Sequence, residues 1–289
     1  RRLNMVVLLS LVAVVVLAGC AGRRGVGASE SWSGVVAQPE TDSVFVGTRD
    51  GRVLEILLVP TSRGGIQPRV GQVFDAQERE EGGDNSRVGV AFYGTPTIAD
   101  GRLYVGSYQG FVYSLNASGD ANALSDVGSF EIEGNKLAKG ISGDIVYVDG
   151  ALVVAAAEDT QSGRMYVLEA SELDANARQD RIERCRYPSG TTGGVGRVGS
   201  SPLVVDGVAY FGDLDHFVHA VSIENCESVW SAPVELGGGI VAAPVAIDGS
   251  LYVGSFDGIM NAIDMATSTQ RKAFEAESWF WATPATDSN

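Results

Sequence analysis

The chain has 289 residues, 45% of them hydrophobic and 20% charged, and carries a formal net charge of -15. So acidic a protein repels phosphate backbones and anionic headgroups, which excludes nucleic acid as a partner and charge-driven adhesion to a membrane. Its length suits one large all-β domain or two small ones, and internal repetition has to decide between them.

The first predicted element is a leader. Arg1 and Arg2 precede an apolar run over 5–17, and Leu17, Ala18 and Gly19 lead into Cys20. A basic start, a short apolar core and small residues before a cleavage point are features of a secretory signal. A membrane-crossing helix needs roughly 20 apolar residues, more than this run supplies, so an uncleaved anchor is the weaker alternative. The Leu17, Ala18, Gly19, Cys20 sequence resembles the bacterial lipobox, which implies removal of most of 1–20 and a lipid on Cys20. Residues 21–31, rich in Gly, Ser and Arg, read as a flexible tether. The remainder, 32–289, is therefore expected outside the cytoplasm, as a cell-envelope lipoprotein facing the periplasm or the cell surface and held to the membrane by its lipid.

Beyond the tether one line recurs. It runs from Thr95 and Pro96 through Asp100 and Gly101 to Tyr104 and Gly106, again from Ser201 and Pro202 through Asp206 and Gly207 to Tyr210 and Gly212, and again from Ala243 and Pro244 through Asp248 and Gly249 to Tyr252 and Gly254. Weaker copies begin at Gln38 and Pro39 and at Gly143 and Asp144. An Asp-Gly pair between alternating apolar runs is a strong hairpin signal, because both residues tolerate positive φ. A third run follows, over 111–115 or 259–263, and in several copies a fourth, over 71–74 or 228–234.

Four-stranded antiparallel units recurring every ~40 to 50 residues match the blades of an all-β propeller. Five are expected, at 32–76, 91–134, 136–190, 197–238 and 239–278, and a sixth copy starts at Trp281, Thr283 and Pro284. Propellers commonly close with about four to eight blades, so the chain is read as part of a larger seven- or eight-bladed ring. An open apolar flank on such an arc would invite aggregation or swapping.

The repeated line resembles that of pyrroloquinoline-quinone-like propellers, a family of quinoprotein dehydrogenases and non-enzymatic lipoproteins. Residues 220–230 keep the spacing of its tryptophan-docking motif, from Ala220 to Trp230, with Ser222 where Asp is usual and Cys226 where Gly is usual. A second copy, over 262–267, lacks the tryptophan. A docked indole buries area worth on the order of 2 to 3 kcal/mol, which is a structural role. A lipobox before such repeats resembles the family's outer-membrane-assembly lipoproteins. That implies a scaffold gripping an envelope protein, a barrel-assembly component among the candidates, through propeller-edge loops. The alternatives are a quinone-dependent dehydrogenase and a sensor or carbohydrate-binding ectodomain.

The residues favour binding over catalysis, with no cofactor expected. The dehydrogenases of the family usually carry adjacent cysteines, and there is no such pair here; most acidic residues fall in Asp-Gly turns. Cys185 and Cys226 are candidates for a disulfide, but a sequence does not fix the Cα separation a bridge requires. Gly194, Gly196 and Gly199 have dinucleotide-fingerprint spacing yet run into a strand, so they read as a flexible inter-blade connection. His216 and His219, three apart on a strand, point to opposite faces and read as turn and strand residues. The acidic stretch 77–87 reads as a solvated inter-blade loop, with reception of a basic partner or a calcium ion as the alternative. Trp279, Phe280 and Trp281 read as blade packing, with a partner-binding role as the alternative.

Overall fold

The computed structural model describes residues 33–76, 90–118, 122–134, 139–190 and 195–285, all within the unit Ser31–Asn289. The leader, Cys20, the tether and the acidic stretch 77–87 lie outside the described residues. Five antiparallel sheets follow one another in chain order. The first holds β1 (Val35–Gln38), β2 (Ser43–Gly47), β3 (Arg52–Pro60) and β4 (Ile66–Asp75). The second holds β5 (Thr97–Ala99), β6 (Arg102–Gly106), β7 (Phe111–Asn116) and β8 (Asp126–Glu131). The third holds β9 (Val146–Val148), β10 (Ala151–Ala157), β11 (Ser162–Glu169), β12 (Glu183–Tyr187) and the short β13 (Val195–Gly196). The fourth is β14 (Leu203–Val205), β15 (Val208–Gly212), β16 (Phe217–Ser222) and β17 (Val234–Glu235), and the fifth is β18 (Val245–Ile247), β19 (Ser250–Gly254), β20 (Ile259–Asp264) and β21 (Gln270–Glu275). The first strands of neighbouring sheets approach one another, β1 to β5, β5 to β9 and β9 to β14. This is the radial arrangement of a β-propeller.

In the three closest copies the Asp-Gly turn has the backbone that pair was expected to adopt. Asp100 and Gly101 have φ of 50° and 74°, Asp206 and Gly207 48° and 75°, Asp248 and Gly249 48° and 73°. Two successive positive φ values match the right-handed twist of the flanking strands.

Strand alternation builds the core. In β10, Leu152, Val154 and Ala156 enter the cluster shared with the second blade, while Ala151, Val153 and Ala155 enter the cluster shared with the fourth. A strand buried on both sides reads as a continuous apolar run, as 151–157 does. Four such clusters fill the four joints between consecutive blades. Each fully buried Leu, Val or Phe contributes about 1.5 to 3 kcal/mol.

Two contacts recur at the joints. An apolar side chain ahead of a blade's first strand hooks over the glycine ending the previous blade's second strand: Phe92 over Gly47, Ile141 over Gly106, Ile240 over Gly212 and Phe280 over Gly254. A β-carbon at Gly212 would lie 2.2 Å from Ile240 Cγ2, so only glycine fits there. Nearer the axis, the Thr95 amide donates to Asp144 Oδ1 at 2.6 Å and the Asp144 amide to Ser201 Oγ at 2.7 Å. The Ala243 amide continues this belt to Thr283 Oγ1 at 3.2 Å, whereas Ala243 itself has no side-chain oxygen to offer Ser201.

Several expectations need correction. The weak copy at Gln38 and Pro39 does not precede a first strand as Pro96, Pro202 and Pro244 do; Pro39 sits in the 3-10 turn Pro39–Thr41 after β1. The stretch at 194–199 is not merely a flexible connection, because Val195 and Gly196 pair with Gly163 and Ser162 of β11; Gly194 lies outside the described residues. The run 228–234 is not one strand: Ser228 bridges Val221, the chain then bends, and only Val234–Glu235 pairs with β16. The third blade also carries two unforeseen short helices, Ala170–Asp174 and Gln179–Ile182.

Candidate interaction surface

The side chains singled out in the sequence are dispersed over the joints. Trp230 is 5% exposed and packs 5.7 Å, centroid to centroid, from Tyr210. Its Nε1 donates to Met265 O at 2.9 Å, tying the fourth blade to the fifth. Ala220 lies in the same cluster. Cys185 of β12 and Cys226, in the turn after β16, are joined as a disulfide with Cα atoms 5.9 Å apart, across the joint between the third and fourth blades.

The helical insertion serves the joint between the second and third blades. Leu173 and Ile182 are buried in it, and Asp174 receives the hydroxyls of Ser114 at 2.6 Å and Tyr104 at 3.2 Å. Burial, and then the neighbouring Asp174 carboxylate, push the Tyr104 hydroxyl pKa well up. The Gln179 side chain accepts from the Glu131 amide and donates to Ser129 O, so it covers part of the outer edge of β8.

One recurrent site escaped sequence reading. The residue after the second strand of every blade is buried and polar: Thr48, Ser107, Glu158, Asp213 and Ser255. Thr48 Oγ1 accepts from the Arg52 amide, Ser107 Oγ from the Phe111 amide and Asp213 Oδ1 from the Phe217 amide, at 2.9 to 3.1 Å. In the third blade Glu158 pairs with Arg164 at 2.8 Å and accepts from the Tyr166 hydroxyl at 2.5 Å. Burial, followed by that hydrogen bond, pushes the Tyr166 pKa well up. In the fourth blade Asp213 meets His219 Nε2 at 2.9 Å, and the imidazole stacks on Phe211 at 5.0 Å. His216 sits in the turn with φ of 78°. The signal was a polar residue directly following the strand-ending Gly47, Gly106, Gly212 or Gly254. Among the described residues, no group of three or more His, Cys, Asp or Glu side chains is arranged to hold a metal ion.

Besides the outer strands β4 and β21, side chains are exposed at the two ends of the strands. At one end Asp42, Asp100, Asp149, Asp206 and Asp248 are exposed, one in the first turn of each blade. At the other end, Phe256 from a second turn meets Trp279 and Trp281 at 5.3 and 4.8 Å. Those two indoles are 58% and 57% exposed. The same rim carries Tyr93 against Tyr108 at 5.3 Å, and Arg197 Nη2 donates to the Tyr108 hydroxyl at 3.0 Å. Aromatic and arginine side chains that remain accessible are typical anchors at protein interfaces.

The family model described as outer membrane protein assembly factor BamB matches residues 69–283, well over half of the chain. No curated protein matches it. Among solved structures, BamB from Moraxella catarrhalis superposes with a TM-score of 0.57 at 18% identity, over 88% of this chain and 66% of that one. The computationally designed Ika8 protein gives 0.58 at 15% identity, over 88% and 65%. At such identities the likeness bears on fold alone, and the chain spans about two thirds of the length of these structures. The family match does more: by it, the chain belongs to the family of the outer membrane protein assembly factor BamB.

Proposed function

We propose that this protein is a non-enzymatic, lipid-anchored scaffold of the cell envelope, exported through its leader, attached at Cys20, and engaged with a protein of outer-membrane assembly. The observation that carries the non-enzymatic reading is the use to which the reactive side chains are put. Glu158, Asp213 and His219 are buried in turn clamps, and Asp100, Asp149, Asp206 and Asp248 form Asp-Gly turns. Family membership supports a role in protein assembly, and the aromatic rim at Phe256, Trp279 and Trp281 gives it a surface suited to a protein partner.

The test is in-cell crosslinking of the full-length protein, followed by affinity capture. Enrichment of a barrel-assembly protein, reduced by Trp279→Ala with Trp281→Ala, is the expected result. Stoichiometric retention of pyrroloquinoline quinone through dialysis would instead overturn the non-enzymatic reading. Loss of lipid labelling in Cys20→Ala checks the anchor separately.

A further inference from the structure

The third joint is built differently from the others. The forward face of the second strand carries Phe45, Tyr104 and Tyr210 in the first, second and fourth blades, but Ala155 in the third. Ala157 stands where the other blades end that strand in glycine, the helical insertion serves the joint before, and Trp230 serves the joint after. What crosses the third joint instead is the bond between Cys185 and Cys226, residues 41 apart in sequence.

Cys226 has a φ of 56°, in the left-handed region where a β-carbon is disfavoured and glycine is the ordinary occupant. A cysteine at such a position destabilises the turn unless its sulfur contributes something in return. The side chain is 5% exposed among Val153, Val167, Phe211 and Val221, so an oxidant cannot readily reach it once the blades have docked.

We propose that Cys185 and Cys226 form an oxidation-dependent lock on the joint between the third and fourth blades, closed by exchange with the disulfide of a thiol oxidase while that joint is still open. One cysteine thiolate attacks the oxidase disulfide, forming a mixed disulfide and releasing one oxidase thiolate. The second cysteine thiolate then displaces the remaining oxidase sulfur. Two electrons and two protons leave the chain, and the oxidase ends as a dithiol. Docking of the two blade groups is thereby coupled to arrival in an oxidising compartment. The inference rests on the export reading above, and the test separates the two.

The experiment is maleimide trapping of the full-length protein isolated from the cell envelope, then amide hydrogen exchange with and without reductant. Both thiols should resist alkylation until reduced, and reduction should speed exchange at least tenfold in β12 and over 223–228 while leaving β2 and β3 unchanged. Cys185→Ser with Cys226→Gly should melt below the oxidised protein but above Cys185→Ser with Cys226→Ser, because glycine relieves the turn. Free thiols in the exported protein, or exchange across the joint indifferent to reduction, would overturn the lock. If the protein were not found in the envelope, the export reading would fall, while exchange by the purified, oxidised full-length chain would still decide the lock.

Discussion

Replacement of Trp230 by alanine should detach the fifth blade from the fourth before it affects any other joint. The indole is 5% exposed, lies among Leu236, Leu251 and Ile263, and donates to Met265 O at 2.9 Å. Truncating a buried tryptophan to alanine costs about 3 to 5 kcal/mol, and the lost hydrogen bond to the part-buried Met265 carbonyl accounts for about 1 kcal/mol of it. Phenylalanine keeps much of the packing and loses the hydrogen bond, so Trp230→Phe should cost about 1 to 2 kcal/mol. Against a total stability of roughly 5 to 15 kcal/mol, the two are separable by urea denaturation. Blades contact mainly their neighbours, so the damage should be local, and hydrogen exchange should accelerate first in β16, β19 and β20. Equal losses for the two variants, or acceleration spread evenly over all blades, would refute the assignment of Trp230 as the tie at this joint.

Completing the axial belt should stabilise the protein: Ala243→Ser offers the Ser201 amide an acceptor and should raise the urea midpoint by an amount equivalent to about 0.5 to 1.5 kcal/mol. Gly212→Ala should lower the urea midpoint by an amount equivalent to about 1 to 3 kcal/mol through overlap with Ile240. Gly249→Ala meets nothing within 4 Å at φ 73°, so it should cost about 1 to 2 kcal/mol of backbone strain alone. Glu133, 64% exposed, has its pKa lowered chiefly by the Arg186 hydrogen bond, against the opposing effect of burial. Its contribution is therefore present above the ordinary carboxylate range and lost as pH falls through the depressed value. At this exposure it is worth less than about 1 kcal/mol, and Glu133→Gln should flatten that part of the pH dependence of the melting temperature.

The blades were legible because their signals are local and repeated. An Asp-Gly pair fixes a hairpin by its own backbone preference, and alternation over 102–106 or 208–212 fixes which side chains face which joint. The helices at 170–174 and 179–182 are too short for a helical period to declare itself, and they form because Leu173 and Ile182 find a buried site on the second blade. Pro39 misled because a proline opens other copies, while here it occupies a turn that replaces the Asp-Gly pair. Glu158 and Asp213, each just after a strand, lie six residues before Arg164 and His219 on the next strand, so only knowledge of the β-ladder register brings them together. The aromatic rim was visible as a Trp279, Phe280, Trp281 run, but its members divide. Phe280 hooks over Gly254, and the two tryptophans flanking it in sequence stay exposed.

Repeated blades raise a problem that alternation alone does not solve. A face that fits one neighbour by shape and apolarity fits the others almost as well, so repeated strands by themselves specify contact but not order. The four joints differ in the side chains that distinguish them. The first packs Phe74 and Phe92, tilted and edge-on, against Tyr113, and the second seats a helical insertion whose Asp174 reads Tyr104 and Ser114. The third is crossed by the disulfide, and the fourth by the Trp230 indole bonded to Met265. Exchanging two blades would leave an indole without its carbonyl, or Asp174 facing apolar side chains, and a buried polar group without its partner costs about 1 to 3 kcal/mol. The departures from the repeat, more than the repeat itself, therefore fix which blade docks against which.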